Sequence, residues 1–232
     1  MFAKPPPNVG CGKDSSCGSV NEFDVTYQPM GGLGLIAAGL IDTHFSERGR
    51  QMRLIQLAIS TKTAFAFGVD ETSALLARES VNKLHYEVTG RHGVWVFDLR
   101  NAESKLSNGK KNIINVIAHY LSEGDQMVID KQSGSTQITF QKGKKLFAQP
   151  RNKLYDNDIF YADNFRSLAH SLALSQRIKA EGISKESSPR FHVTLTKNSA
   201  FKSAMGVIKI GDTKRLNVSY SNLLLSVKQL NP

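Results

Sequence analysis

The chain has 232 residues, a formal net charge of +10 at pH 7 and a hydrophobic content of 40%. This length allows one large domain or two small ones, and the composition is ordinary for a globular protein. No apolar run approaches the roughly 18 residues that span a bilayer, and the opening MFAKPPPNVG lacks the apolar segment of a secretory signal. We therefore expect no membrane partner and a cytoplasmic chain as given, although a longer parent protein could be exported.

The positive charge is concentrated towards the end of the chain. Residues 185–232 contain eight basic and two acidic side chains. A basic surface can attract nucleic acid, but these charges are scattered singly, without interleaved aromatic residues or a recognisable reading helix. The pattern favours a solvated basic face, and we expect no nucleic-acid partner.

Residues 1–30 are rich in Pro, Gly, Ser and Asn, which predicts a loop throughout. Cys11 and Cys17 lie six residues apart in the Gly/Ser-containing part of this loop. They could form a disulfide in an oxidising compartment or remain free thiols. Further cysteine or histidine ligands at zinc-binding spacing are lacking, so the pair does not indicate a metal site.

Residues 36–45, IAAGLIDTHF, predict a short buried strand that ends near His44. From Glu47 to about Ile59 the pattern becomes helical, with Leu54, Leu57 and Ala58 on one stripe. Ser46 is the expected N-cap of this helix, because its hydroxyl can accept from a free backbone N–H.

Several strands are expected between this helix and residue 130. AFAFGVD (64–70) and SALLA (73–77) are compact apolar runs, typical of a sheet covered on both faces. LHYEVTG (84–90) and GVWVFDLR (93–100) predict a hairpin, and INVIAHYLSEGDQMVID (114–130) predicts a strand, a turn and a strand.

The composition changes after about residue 130, and we interpret 131–232 as a smaller α+β extension of the domain formed by 31–130. Residues 131–149 predict a basic hairpin. The 3.6-residue period of residues 158–181 predicts a long helix that Gly182 ends. Strands are expected in RFHVTLTK, GVIKIG and RLNVSYSNLLLSV.

Charged residues are unusually dense where the first strand ends, in IDTHFSERGRQMRL (41–54). Taken alone, His44 could be a general base, a ligand or a satisfied polar group. Asp70 and Glu71 end the next apolar strand, and groups at the carboxyl ends of strands in open α/β sheets face the ligand crevice. The two acids point to opposite faces if the strand continues, so only one can reach His44, and the spacing does not decide which. The remaining histidines have no partner at metal spacing and receive no role: His85, His92, His119, His170 and His192.

The string GLGLI…GLIDTHFSERGRQMRL…FAFGVDETSALL resembles the cyanophycinase family of serine peptidases, relatives of peptidase E. The resemblance covers residues 32–77 and continues more weakly to residue 130. It implies an α/β fold in which residues 31–130 form an incomplete sheet with helices like that of class I glutamine amidotransferases. Members of the family hydrolyse cyanophycin, a polymer of aspartate with arginine on each side-chain carboxylate, to β-Asp-Arg dipeptides.

The resemblance also implies a role for each matching position. His44 would be the histidine of a Ser-His-Glu triad and Glu71 its carboxylate partner. A glutamine is common in the family where this chain has Thr43, which bears on substrate specificity. No cofactor or metal is implied. The positions that would shape the pocket and hold the charged substrate are Asp42, Thr43, Arg48, Arg50 and Arg53.

The family nucleophile is a serine in a turn of the type G-x-S-A-G-A, which precedes the Asp-x-His-Phe string. No such turn is present in this chain, and GKDSSCGSV (12–20) lacks the flanking strand and helix that a nucleophile elbow requires. We therefore expect a serine encoded upstream, an isolated chain that is inactive, and possible homodimers. The alternative is a non-catalytic binding protein for an acidic or zwitterionic ligand.

Overall fold

The computed structural model describes residues 38–146, 153–185, 189–210 and 212–230. These residues form an α/β structure that is mostly strand, with two α-helices and one short 3-10 helix. The helices are the 3-10 helix Ser46–Arg48, α1 (Gln51–Ser60) and α2 (Asn164–Ala173). The strands in chain order are β1 (Gly39–Thr43), β2 (Phe65–Val69), β3 (Ser73–Glu79), β4 (Lys83–Gly90), β5 (Gly93–Asp98), β6 (Glu103–Ser107), β7 (Lys110–Ser122), β8 (Gln126–Asp130), β9 (Thr136–Thr139), β10 (Tyr155–Asp156), β11 (Lys179–Ile183), β12 (Phe191–Ile210) and β13 (Thr213–Gln229).

The described strands form one mixed sheet of nine strands and one antiparallel sheet of four. The large sheet has the order β1-β2-β5-β7-β13-β12-β11-β10, with β6 paired to β7. Only β1 with β2 and β10 with β11 are parallel in it. The small sheet has the order β3-β4-β8-β9.

Strand β5 lies at the centre of the packing, because its side chains are buried on both faces of the large sheet. Trp95 and Phe97 belong to the core that includes buried residues of α1 and α2. Val94 and Val96 point to the other face and belong to the core shared with the small sheet. A strand that is covered on both faces has a nearly continuous apolar sequence, and residues 93–98 have such a sequence.

The expected hairpin between residues 84–90 and 93–100 is wrong. β4 pairs with β3 and β8 in the small sheet, whereas β5 pairs with β2 and β7 in the large one. The two strands differ because β4 has one half-exposed face and β5 has none. The expectation that residues 73–77 lie in a sheet covered on both faces is also wrong, since Leu76 is 43% exposed.

Several other expectations in the first half of the chain are confirmed. β1 ends at Thr43, β2 occupies the centre of 64–70, and β7 and β8 flank the turn predicted at residues 123–125. The expectation that the first strand is buried is wrong, because β1 is the edge strand of the large sheet among the described residues and Ile41 is 44% exposed. The helical segment is present but divided, because Gly49 adopts a left-handed conformation (φ 56°) between the 3-10 helix and α1.

The second half of the chain completes the large sheet. β13 pairs with β7, and β12 pairs with β13, so strands from both sides of residue 130 are hydrogen-bonded neighbours. Buried residues of α2, β12 and β13 belong to the same core as Trp95. The boundary expected at residue 130 therefore does not separate two packing units.

The helix predicted at 158–181 is much shorter than expected. α2 ends at Ala173, and the Ser175 hydroxyl follows it, donating to the Leu172 carbonyl (2.9 Å) and accepting the Arg177 N–H (3.2 Å). Residues 179–183 form β11 instead, because they pair with β12. Four of the apolar residues on which the helix prediction rests, Phe165, Leu168, Ala169 and Leu172, are buried in α2, whereas the fifth, Ile178, lies beyond the helix and is 69% exposed.

The predicted basic hairpin at 131–149 does not form as one unit. β9 pairs with β8, and Lys145 makes a two-bond bridge to Met205 of β12 (2.9 and 2.8 Å). The end of that segment lies outside the described residues, as do the loop 1–30 and its two cysteines. No helix among the described residues is long and apolar enough to cross a membrane.

The side chain of Lys144 is buried against the large sheet. Its Nζ lies 2.6 Å from Asp125 Oδ1, 2.9 Å from Ser122 Oγ and 3.0 Å from Ser219 Oγ. The side chains of Lys144 and Asp125 are 2% and 0% exposed. Burial lowers the pKa of Lys144 and the Asp125 carboxylate opposes that shift. This ion pair and its hydrogen bonds hold the segment after β9 against the end of β7 and the interior of β13.

We expect Lys144→Met to lower the free energy of unfolding by about 3–5 kcal/mol, because it leaves Asp125 as a buried charge without its cation. Urea denaturation at pH 7 measures the change. Lys142→Met is the matched control, since Lys142 is exposed and its loss should change stability by less than about 0.5 kcal/mol. Equal effects of the two substitutions would contradict the assignment.

Candidate active site

The first two strands and the helix between them bring the predicted residues to one edge of the sheet. β1 and β2 are parallel, and their last residues, Thr43 and Val69, are register partners. Parallel strands present their carboxyl ends at the same edge. His44 follows one strand end, and Asp70 and Glu71 follow the other.

The imidazole of His44 and the carboxylate of Glu71 are in contact. His44 Nδ1 lies 2.9 Å from Glu71 Oε1, and the two side chains are 51% and 45% exposed. His44 (φ 52°) and Thr72 (φ 59°) have left-handed backbone conformations, which are uncommon for residues other than glycine. Thr72 directly follows Glu71. Such strained residues persist only where their surroundings hold them, and they cluster at functional sites.

Asp70, the other candidate partner, points into the protein and does not contact His44. Its Oδ1 accepts the Ser46 N–H (2.9 Å), and its Oδ2 accepts from the Tyr120 hydroxyl (2.8 Å) and Arg166 (2.7 Å). Burial raises the pKa of Asp70, although the charge of Arg166 opposes that shift. The sequence spacing did not decide which of the two acids contacts His44. In the structure this acid is Glu71.

Glu47 connects this buried network to the exposed pair. Its Oε2 accepts the backbone N–H of Glu71 (3.1 Å), and its Oε1 accepts from Arg166 (3.1 Å). His92 Nδ1 lies 3.4 Å from the same Oε1. Burial alone would raise the pKa of Glu47, but His92, the backbone N–H groups and Arg166 together lower it to about 2.

Arg166 is a site residue that sequence reasoning missed. It lies in the first turn of α2, and its guanidinium contacts Glu47 and Asp70 as well as Asp163 (2.6 Å). It follows the buried Phe165 in the helical pattern. The sequence shows Arg166 simply as a cation beside the apolar face of a predicted helix. No sequence spacing indicates that residue 166 contacts residue 47 in the fold.

Ser46 is not the N-cap that the sequence predicts. It is fully buried, and its hydroxyl accepts a hydrogen bond from Trp95 Nε1 (3.0 Å). Its backbone N–H is taken by Asp70, and its carbonyl accepts from Asp163 N–H (2.8 Å). Ser46 thus joins the end of β2, the centre of β5 and the start of α2.

Asp42, Thr43 and Arg50 form a second polar cluster beside the strand end. Arg50 Nη1 donates to Asp42 Oδ1 and to the Thr43 carbonyl, both at 2.7 Å, and Arg50 is only 8% exposed. Arg53 is half-buried nearby. Burial lowers its pKa, while the charge of Asp42 raises it and that of Arg50 lowers it further. This geometry favours a role for Arg50 in holding the end of β1 over direct contact with a substrate.

Arg48 and Thr43 are the two predicted pocket residues that face solvent. Arg48 makes no ion pair with any described residue, so its guanidinium is available to an external carboxylate. The five predicted pocket positions thus form three groups: the ion pair of Asp42 and Arg50, the half-buried Arg53, and the exposed Thr43 and Arg48.

A search against models of known protein families finds no match for this chain. In the described ranges, no group of three or more His, Cys, Asp or Glu side chains could hold a metal ion. The same ranges contain no serine hydroxyl hydrogen-bonded to His44. The arrangement therefore presents an oriented imidazole, with Nε2 left for a further group.

The depressed pKa of Glu47 makes stability depend on pH. Because the pKa of Glu47 in the folded state lies below the ordinary glutamate value of 4.5, its contribution to stability is present above pH 4.5 and is lost as the pH falls towards 2. We expect Glu47→Gln to cost up to about 3 kcal/mol at pH 7, with the difference from wild type shrinking over that range. Urea denaturation at pH 7, 4.5 and 3 measures it.

Glu103→Gln is the control for this series, because Glu103 is exposed and its ion pair among the described residues is with the exposed Lys105. Its effect should stay within about 0.5 kcal/mol at each pH. A Glu47→Gln difference that does not change between pH 7 and 3 would contradict the role given to Glu47.

Proposed function

We propose that this chain carries the histidine and the glutamate of a serine-type peptidase of the cyanophycinase kind. The single observation that supports this most is the contact between His44 Nδ1 and Glu71 Oε1. In a triad, a carboxylate on Nδ1 fixes the tautomer and leaves Nε2 to take the proton of a serine hydroxyl. For the complete protein we propose a class I glutamine amidotransferase-like fold. The parallel pair of β1 and β2, joined by α1, supports this proposal, whereas most other pairings of the large sheet are antiparallel.

The proposed nucleophile is a serine supplied by a segment outside these 232 residues. His44 would act as general base towards that serine and then as general acid towards the leaving amine. Glu71 would stabilise the imidazolium that forms. The buried residues Glu47, Asp70 and Arg166 would act behind the pair by holding the Glu71 backbone and the end of β2.

The proposed substrate is cyanophycin or a related β-linked Asp-Arg chain. Each repeat carries a free carboxylate and a guanidinium, so a pocket for it needs charges of both signs. Arg48 is suited to the carboxylate because a planar guanidinium can donate two parallel bonds. Asp42 and Thr43 would lie near the substrate arginine, with Arg50 and Arg53 keeping Asp42 in place.

We expect residues 1–232 alone to release no β-Asp-Arg from cyanophycin, because no serine hydroxyl in the described ranges is hydrogen-bonded to His44 and the proposal places the nucleophile and its oxyanion donors in another segment. Dipeptide release is measured by chromatography. Turnover by this chain that His44→Ala abolishes would contradict the proposal that the nucleophile is supplied from elsewhere.

The decisive test reads the gene upstream of codon 1. An open frame that encodes a strand and a G-x-S-A-G-A turn supports the enzyme, and the extended protein should then hydrolyse cyanophycin. In it, His44→Ala and Glu71→Gln should each lower kcat by roughly 1,000-fold or more. Both residues are half-exposed, so thermal unfolding should stay close to wild type. Arg177→Gln removes an exposed charge elsewhere and should leave turnover unchanged.

The alternative is a binding protein that uses the exposed charges at the strand ends without catalysis. Arg48, exposed and without an ion pair to any described residue, is the observation that favours it. An independent promoter and start codon, with no upstream serine turn, would support this alternative. Calorimetry with the β-Asp-Arg dipeptide should then show binding by residues 1–232 that Arg48→Gln weakens.

A further inference from the structure

A separate cleft opens between α2, β13 and the turn that joins β4 to β5. Its volume is about 160 Å³, which at roughly 30 Å³ for each water molecule is room for about five waters. A cleft of this size accepts a small molecule and not a folded segment. The residues of its lining that matter here are Arg91, His92, Tyr120, Arg166, His170 and Arg215.

The cleft has unneutralised positive charge. Arg91 and Arg215 are exposed, and neither makes an ion pair with any residue in the described ranges. Arg166, by contrast, is already bound to the nearby carboxylates of Glu47 and Asp70. Arg166 therefore neutralises Glu47 and Asp70, and the guanidinium groups of Arg91 and Arg215 remain available to a ligand.

The interior of the cleft also has unsatisfied polar groups. His170 Nε2 is buried and has no hydrogen-bond partner among the described residues, and the same holds for Nδ2 of Asn217, which also lines the cleft. The His170 ring packs at 4.7 Å from the ring of Tyr120 and 5.9 Å from that of Tyr220. Buried polar atoms are normally hydrogen-bonded, so atoms left unpaired beside a cleft point to a missing partner.

We propose that this cleft binds a small oxyanion, a carboxylate or a phosphate, between Arg91 and Arg215 with a hydrogen bond from His170. Both anions match the forked donors of a guanidinium group. Burial lowers the pKa of His170 to about 3, so its imidazole is neutral at pH 7 and can donate one N–H.

The anion site is distinct from the His44–Glu71 pair but connected to it. Glu47 contacts His92 and Arg166, which line the cleft, through one carboxylate oxygen, and the backbone of Glu71 through the other. An anion that attracts Arg166 or His92 would compete with Glu47 for them. The proposal does not depend on peptidase activity, because binding is measured without turnover.

The test is calorimetry on residues 1–232 with sodium malonate and sodium phosphate as probes, at low ionic strength because salt screens exposed charges. Malonamide, which has the shape of malonate without its charge, is the ligand control. We expect saturable one-site binding of at least one anion and none of malonamide. Arg91→Gln and Arg215→Gln should each weaken binding by about tenfold or more.

Arg177→Gln is the matched protein control, because Arg177 is an exposed arginine that does not line the cleft. It should change affinity by less than about twofold, and circular dichroism should show that all three variants remain folded. Binding of malonate alone or of phosphate alone supports the site and identifies its anion. Unsaturable binding, or equal weakening by all three variants, would overturn the proposal. Retained binding in His44→Ala would separate this site from the proposed catalytic one.

Discussion

The site depends on one interaction, the contact of Arg166 with the two carboxylates of Glu47 and Asp70. Two acids placed this close in a largely buried region would repel each other without a cation between them. With Arg166 present, Asp70 holds the end of β2 against Ser46 and Tyr120, while Glu47 holds the backbone of Glu71. The exposed pair of His44 and Glu71 is therefore positioned by a charge network that solvent barely reaches.

The same network explains why neighbouring acids have different environments. Asp70, the first residue after β2, directs its carboxylate inwards, and Glu71, in the turn that follows, directs its own to the surface. The inner acid has a raised pKa through burial, and the outer one remains accessible to solvent and to a substrate. One strand end thus provides a structural carboxylate and a candidate catalytic carboxylate in consecutive positions.

The local parts of this arrangement could be predicted from the sequence. Apolar runs located β1 and β2, and the dense charges at residues 41–54 located the candidate site, because short strands and their polar ends are local features. Arg166 and the shared sheet could not be predicted in this way, since they depend on pairing between distant segments. Ile178 misled the helix prediction because it continues the 3.6-residue period beyond the end of α2, although it is exposed in the fold.

The pairing of β13 with β7 has a consequence for how this protein could be divided by recombination. A fragment ending near residue 130 would keep the histidine and the glutamate but lose the arginine that neutralises their supporting acids. Grafting the first half onto another scaffold would transfer the recognisable residues without their counter-ion. The first half of the chain therefore depends on the second for charge balance, because the cation that lies between Glu47 and Asp70 comes from α2.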